Sequence, residues 1–167
     1  MKRNYFIIIF ALLISLFIYL FYRTENTVVT DIFISIISHD CFDLLRNRII
    51  TAFPLNSYVI NSLPEGLWVF CITITSKNLY LKVANKEIYL LFIPLVFSIG
   101  LEFFQLLNIT NGRFDFWDIV VSIIFWAIAN YFIKVHYIKQ NIINPITTRS
   151  LICIVSYLIV YLAHVWK

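Results

Sequence analysis

Charge is what this chain has least of. Asp, Glu, Lys and Arg make up 13% of its 167 residues, against about 25% in soluble globular domains. Glycine is scarce too, at three residues, and nothing resembles a glycine-rich phosphate loop or a G-x-S-x-G elbow. The three cysteines, Cys41, Cys71 and Cys153, are an odd number at wide spacing, which fits neither a disulfide framework nor a metal site. Cys71 and Cys153 lie in apolar runs, where a small buried thiol is the ordinary reading. His39, His136 and His164 are dispersed, and no His/Cys/carboxylate grouping has zinc spacing. No metal and no cofactor are therefore expected. The Lys and Arg are scattered rather than clustered, so the net charge of +4 does not point to nucleic acid. The chain shows no internal repeat and is too short for a transporter built of two repeats.

What is abundant is apolar surface. Hydrophobic residues are 61% of the chain, and its mean hydropathy is +0.86. These values predict an integral membrane protein: one all-α domain over 1–167, a bundle of about five transmembrane helices plus one interfacial amphipathic helix. The spans expected are 5–22, 63–81, 88–107, 116–133 and 151–166. The first run has eighteen residues, roughly 27 Å as a helix and close to the thickness of a bilayer core. It exceeds the usual hydrophobic region of a signal peptide and lacks a small-residue cleavage site, so it reads as a retained span. Residues 24–62 form an external segment. Within it, 31–50 mixes Ile, Phe and Leu with His39, Asp40, Asp43, Arg46 and Arg48, the pattern of an amphipathic helix lying in the interface. Pro54 and Pro64 are expected to bracket a loop. Pro64 and Glu65 would then sit in the first turn of the second span. That span is interrupted by Ser76, Lys77 and Asn78, so Lys77 must reach the interface or the helix must end early.

Basic residues orient the spans. With the N-terminus inside, the inner segments hold Lys2, Arg3, Lys77, Lys82, Lys86, Lys134, Lys139 and Arg149, and the outer ones Arg23, Arg46, Arg48, Arg113 and Lys167. The inner excess is what the positive-inside rule expects. The C-terminus falls outside, and the expected location is the inner (plasma) membrane.

This topology gathers polar residues from separate spans at one leaflet. Glu102 and Gln105 are three apart and face the same way on a helix. Glu102 lies roughly 9 Å below the end of its span, and an ionisable residue at membrane depth is a functional-site hypothesis by default. Arg113, in the short connection that follows, is its expected partner through paired hydrogen bonds. Asp115 and Asp118 open the fourth span. Either can cap the helix, Asp118 three residues on completing a capping-box-like pattern, or either can serve a ligand. Glu65 reads either as a first-turn acid favoured by the positive helix end or as a ligand residue, and Gln105 can bond between helices. The candidate ligand-binding set is Glu102, Gln105, Arg113, Asp115, Asp118 and Glu65, with Glu102 and Asp118 as candidate acids or bases.

Glu102-x-x-Gln105 followed by Arg113-x-Asp115-x-x-Asp118 ahead of an apolar run resembles the signature of VanZ-like membrane proteins. The resemblance covers roughly 60–133, and Leu63-Pro64-Glu65-Gly66-Leu67-Trp68 is similar to the start of the preceding helix in some of them. After Asp118 that family commonly continues with Asn and Gly, whereas here Val121, Ser122, Ile123 and Ile124 follow. The resemblance implies a bacterial inner-membrane protein with an envelope-related role and a link to antibiotic susceptibility, without supplying a reaction.

Two functions compete. The first is binding or modification of an envelope lipid or polymer at an outer-leaflet polar pocket. The second is a non-catalytic accessory or immunity-type subunit that acts through a membrane protein partner. An ion pathway ranks last, because the polar groups gather on one side.

Overall fold

The computed structural model describes residues 2–23, 28–84, 86–109, 113–135 and 138–164. Residues 24–27 of the expected external segment and 165–166 of the fifth expected span lie outside them. About 75% of the chain is helical. The α-helices are α1 (Lys2–Tyr22), α2 (Val28–Ile37), α3 (His39–Ala52), α4 (Ser57–Ser76), α5 (Ile93–Leu106), α6 (Phe116–Ala127) and α7 (Thr148–His164). Between them lie three short strands, β1 (Leu79–Val83), β2 (Lys86–Tyr89) and β3 (Gln140–Asn141). By length and composition, two helices can cross a membrane, Asn4–Tyr22 and Ser57–Ser76. The apolar helices expected as spans three to five are shorter, at Leu90–Leu106, Phe116–Phe132 and Thr148–Ile159.

Helix α4 is the axis of the molecule. It is buried without a break from Gly66 to Ser76, as an all-round apolar helix must be. Buried Ile8, Ala11, Ser15 and Ile18 recur at helical spacing along α1 and turn toward α4. Ser15 donates to the Pro64 carbonyl at 3.3 Å, and Cys71 Sγ lies 3.5 Å from the Ile8 carbonyl. On the far side of α4, Gly66 faces Val121 and Phe125 of α6. The small residue that permits close packing therefore belongs to α4, not to α6 after Asp118.

Three expectations about boundaries are corrected. Helix α4 starts at Ser57, capped by Asn56, whose side chain accepts from the Tyr58 amide at 3.2 Å. Pro64 and Glu65 are thus interior residues, not first-turn residues, and the loop is only 53–56. Asn56 wins because its side chain satisfies an otherwise free amide, which Pro64 cannot do. The second span does not reach Leu81, nor does the third begin as helix at Ile88. After Ser76 the chain turns at Asn78 in the left-handed region (φ 59°), which Asn tolerates better than most residues. Strands β1 and β2 then pair antiparallel, Tyr80 with Tyr89 and Lys82 with Glu87, and β3 joins β1 in parallel. Finally, the expected single amphipathic helix over 31–50 is two helices, broken at Ser38 (φ 78°).

The helix ends sort into two groups. At one end, the last turn of α1 meets α3: Arg46 donates to the carbonyls of Phe21 (3.1 Å) and Arg23 (2.8 Å), which lack helical partners. Phe42 packs on Phe21 and Phe33 beside them, each pair of rings 6.0 Å apart. At the opposite end sit the sheet and the start of α7. There Lys77 donates to the carbonyls of Asn130 (2.8 Å) and Ile133 (2.7 Å), closing the π-turn Ile128–Phe132 that ends α6. Arg149 donates to the Lys77 and Ile138 carbonyls.

Candidate functional site

The first group of ends encloses a cleft of about 500 Å³ lined by Arg23, Asn61, Arg113, Phe114, Asp115 and Asp118. Its walls come from the end of α1, the first turns of α4 and the start of α6. Arg23 is held by the Tyr19 hydroxyl at 2.8 Å and the Asn61 carbonyl at 2.9 Å, with its guanidinium 4.6 Å from the Tyr19 ring centre. Asp115 is the N-cap of α6 and accepts from the Trp117 amide at 2.9 Å. The capping reading of Asp115 therefore holds, and the residue lines the cleft as well.

Behind the cleft runs a polar seam. Glu65 accepts from Trp68 Nε1 at 2.7 Å and from the Ser98 hydroxyl at 2.9 Å. Ser98 Oγ stands 2.8 Å from Ser122 Oγ, so the seam joins α4, α5 and α6. Glu102 is buried, and its Oε2 accepts from the Asp115 amide at 2.9 Å. Glu102 and Asp118 lie within Coulombic reach of one another and of Glu65 and Asp115, and Arg23 is the cation that acts on Asp118.

Glu102 does not pair with Arg113, contrary to the expectation. The Asp115 amide reaches Glu102 instead, because the first turn of α6 leaves such amides free and directs them back toward α5. Arg113 is exposed on the cleft wall and makes no hydrogen bond or ion pair among the described residues. Gln105 is not among the cleft-lining residues, so the helical face it shares with Glu102 does not bring it to the ligand space.

Asp118 is the unsatisfied member. The Ser62 hydroxyl faces it, yet Ser62 Oγ and Asp118 Oδ1 are both buried and neither has a hydrogen-bond partner of good geometry among the described residues. A buried polar atom left unpaired costs about 1–3 kcal/mol, which marks this spot for a donor from elsewhere. Sequence reasoning did not select Arg23, Asn61, Ser62, Ser98 or Ser122. A signal existed for most of them: Ser98–Glu102 and Asp118–Ser122 are each four apart, and Asn61 and Ser62 precede Glu65 by four and three, the spacings that share a helix face.

A ligand here meets two guanidinium groups and two carboxylates. Among the described residues no group of three or more His, Cys, Asp or Glu is placed to hold a metal ion. Comparison of the chain with family models, curated proteins and solved structures finds no match.

Proposed function

We propose that this chain is a small VanZ-like protein of the bacterial inner membrane. In this reading its cleft binds, or modifies, a cell-envelope component at the outward-facing surface. Five spans cross the bilayer, with the N-terminus cytoplasmic and the C-terminus outside. The observation that carries the reading is the cleft itself: Arg23, Arg113, Asp115 and Asp118 line one space at one end of the helices. The membrane assignment is supported by apolar side chains left uncovered on the outer helices, among them Phe6 and Phe10 of α1, Val96 and Phe103 of α5, Ile123 and Ile124 of α6 and Leu151 and Leu158 of α7. Soluble monomers rarely leave so continuous an apolar surface bare. The orientation is supported by Lys82, Lys86, Lys134, Lys139 and Arg149, which stand in or near the sheet, at the end opposite the cleft. If the site modifies its ligand, Asp118 is the acid or base of choice, because it faces the cleft while an amide occupies Glu102.

The test uses cells expressing the full chain with its three cysteines replaced. A thiol reagent that cannot cross membranes should label Arg113→Cys from outside and leave Lys82→Cys untouched; the reverse pattern overturns the orientation. Expression should lower susceptibility to a glycopeptide antibiotic. Arg113→Ala should abolish that effect at an unchanged membrane level. An unaltered susceptibility with the wild-type chain overturns the envelope role.

A second reading, an accessory subunit acting through a protein partner, is supported by Ile32, Ile36, Leu44 and Leu45, exposed on α2 and α3. Co-purification of a stoichiometric membrane protein that is lost in Ile36→Glu would favour it over the first.

A further inference from the structure

Next to the polar cleft lies a second cavity of about 460 Å³, lined by Tyr58, Val59, Ser62, Leu63, Trp117, Val121 and Phe125. It runs between α4 and α6, and Ser62 and Tyr58 bring the hydroxyls among otherwise apolar or aromatic walls. The two spaces share a partition. Asn61 and Asp118 line the cleft, while their chain neighbours Ser62 and Trp117 line the groove. At that partition sit Ser62 Oγ, on a residue only 3% exposed, and Asp118 Oδ1; the two side chains face each other, and neither atom has a hydrogen-bond partner of good geometry among the described residues.

The other carboxylates are engaged. Asp115 caps α6, Glu102 takes the Asp115 amide, and Glu65 takes Trp68 and Ser98. What is left over among the described residues is one cation at the mouth, Arg113, and one pair of buried oxygens in the depth, on Asp118 and Ser62. A ligand that satisfies both must carry an anion and, a short distance away, a group with N–H donors. A ligand that also fills the groove must carry an apolar chain. Either space alone lies within the range of about 300–1,000 Å³ usual for ligand sites.

We infer that the cleft and groove are one site for a phospholipid whose head group carries a phosphate and a primary ammonium, with an acyl chain lying between α4 and α6. The phosphate meets the Arg113 guanidinium. The ammonium donates to Asp118 and Ser62, and the chain covers Val121, Phe125 and Leu63. A purely anionic head group would bring no cation to the two aspartates. A quaternary ammonium has no N–H to give the orphaned oxygens. The inference rests on the reading of the cleft as a ligand site in a membrane protein, and it names the ligand class.

The full chain, purified in detergent, is mixed with phosphatidylethanolamine, phosphatidylglycerol or phosphatidylcholine of identical acyl chains, and retained lipid is measured by native mass spectrometry. Phosphatidylethanolamine should bind about tenfold tighter than either of the others, the worth of one charge-assisted hydrogen bond. Asp118→Asn should erase that preference, so that the three lipids are retained alike. Ser62→Ala, a milder change on α4, should reduce the preference and serves if Asp118→Asn does not accumulate. Val121→Trp, which fills the groove, should weaken all three lipids together. Equal retention of the three lipids by the wild-type chain, a preference for phosphatidylglycerol, or a preference that survives both Asp118→Asn and Ser62→Ala overturns the inference. Outside labelling at position 113 without lipid selectivity sinks the lipid assignment alone; a chain that does not enter the membrane sinks the membrane reading with it.

Discussion

Gly66 sets how closely α4 and α6 approach. A Cβ built there would stand 2.5 Å from Phe125 Cδ2 and 2.6 Å from Val121 Cγ1, and neither the aromatic ring nor the β-branched side chain yields easily. Alanine gains about 1 kcal/mol in helix propensity, but overpacking costs about 1–3 kcal/mol. Gly66→Val should therefore lower the melting temperature in detergent, and adding Phe125→Ala should restore part of the loss. Gly100 tells the opposite story: a Cβ there meets nothing within 4 Å. Glu102 offers a second check, because its observed work is to receive a backbone amide. Glu102→Gln keeps an acceptor and should melt close to the wild type. Glu102→Ala leaves a half-buried amide unpaired and should lose about 1 kcal/mol, read as a lower melting point. Legibility differed among these residues. The importance of Glu102 could be read from a carboxylate standing in an apolar run. Its partner could not, because a backbone amide has no letter in a sequence.

Lys77 shows how one side chain ends two helices. It lies just past Ser76, and its ammonium takes the carbonyls of Asn130 and Ile133 at the end of the π-turn after α6. Those carbonyls have no helical partner to replace it. Lys77→Met keeps the length of the stem and removes the donors. It should cost about 1–3 kcal/mol, and limited proteolysis should show faster cutting within 133–139 than in the wild type. The interruption at Ser76–Asn78 was visible in the chain, and early helix termination was one of its two expected outcomes. The hairpin beyond it was missed, although Leu79-Tyr80-Leu81-Lys82-Val83 and Lys86-Glu87-Ile88-Tyr89 are rich in the aromatic and branched residues strands prefer. High overall hydropathy masked it, since a short apolar run reads equally as the end of a span.

The molecule as a whole is polarised. The cleft occupies one end, and the sheet with its lysines occupies the other. Lys139 bonds Glu87 and stands 5.0 Å from the ring centres of both Tyr80 and Tyr89, and the Glu87 carboxylate holds its ammonium above the usual lysine range. On the orientation proposed above, replacing Lys82, Lys86 and Lys139 together by Gln should weaken the bias that keeps the sheet inside. A Val83→Cys probe in the chain without native cysteines should then become partly labelled from outside; absence of labelling would show that other residues set the direction. Helical content, apolar outer faces and the antiparallel order of α4, α5 and α6 follow from run lengths and short connections, properties carried along the chain in one dimension. The company kept by Asp118 does not. Arg23, Ser62 and Asp118 are separated by 39 and 56 residues, and only the packing of α4 against α1 and α6 decides that they meet and, among the described residues, leaves Arg113 without a partner and two buried oxygens unanswered.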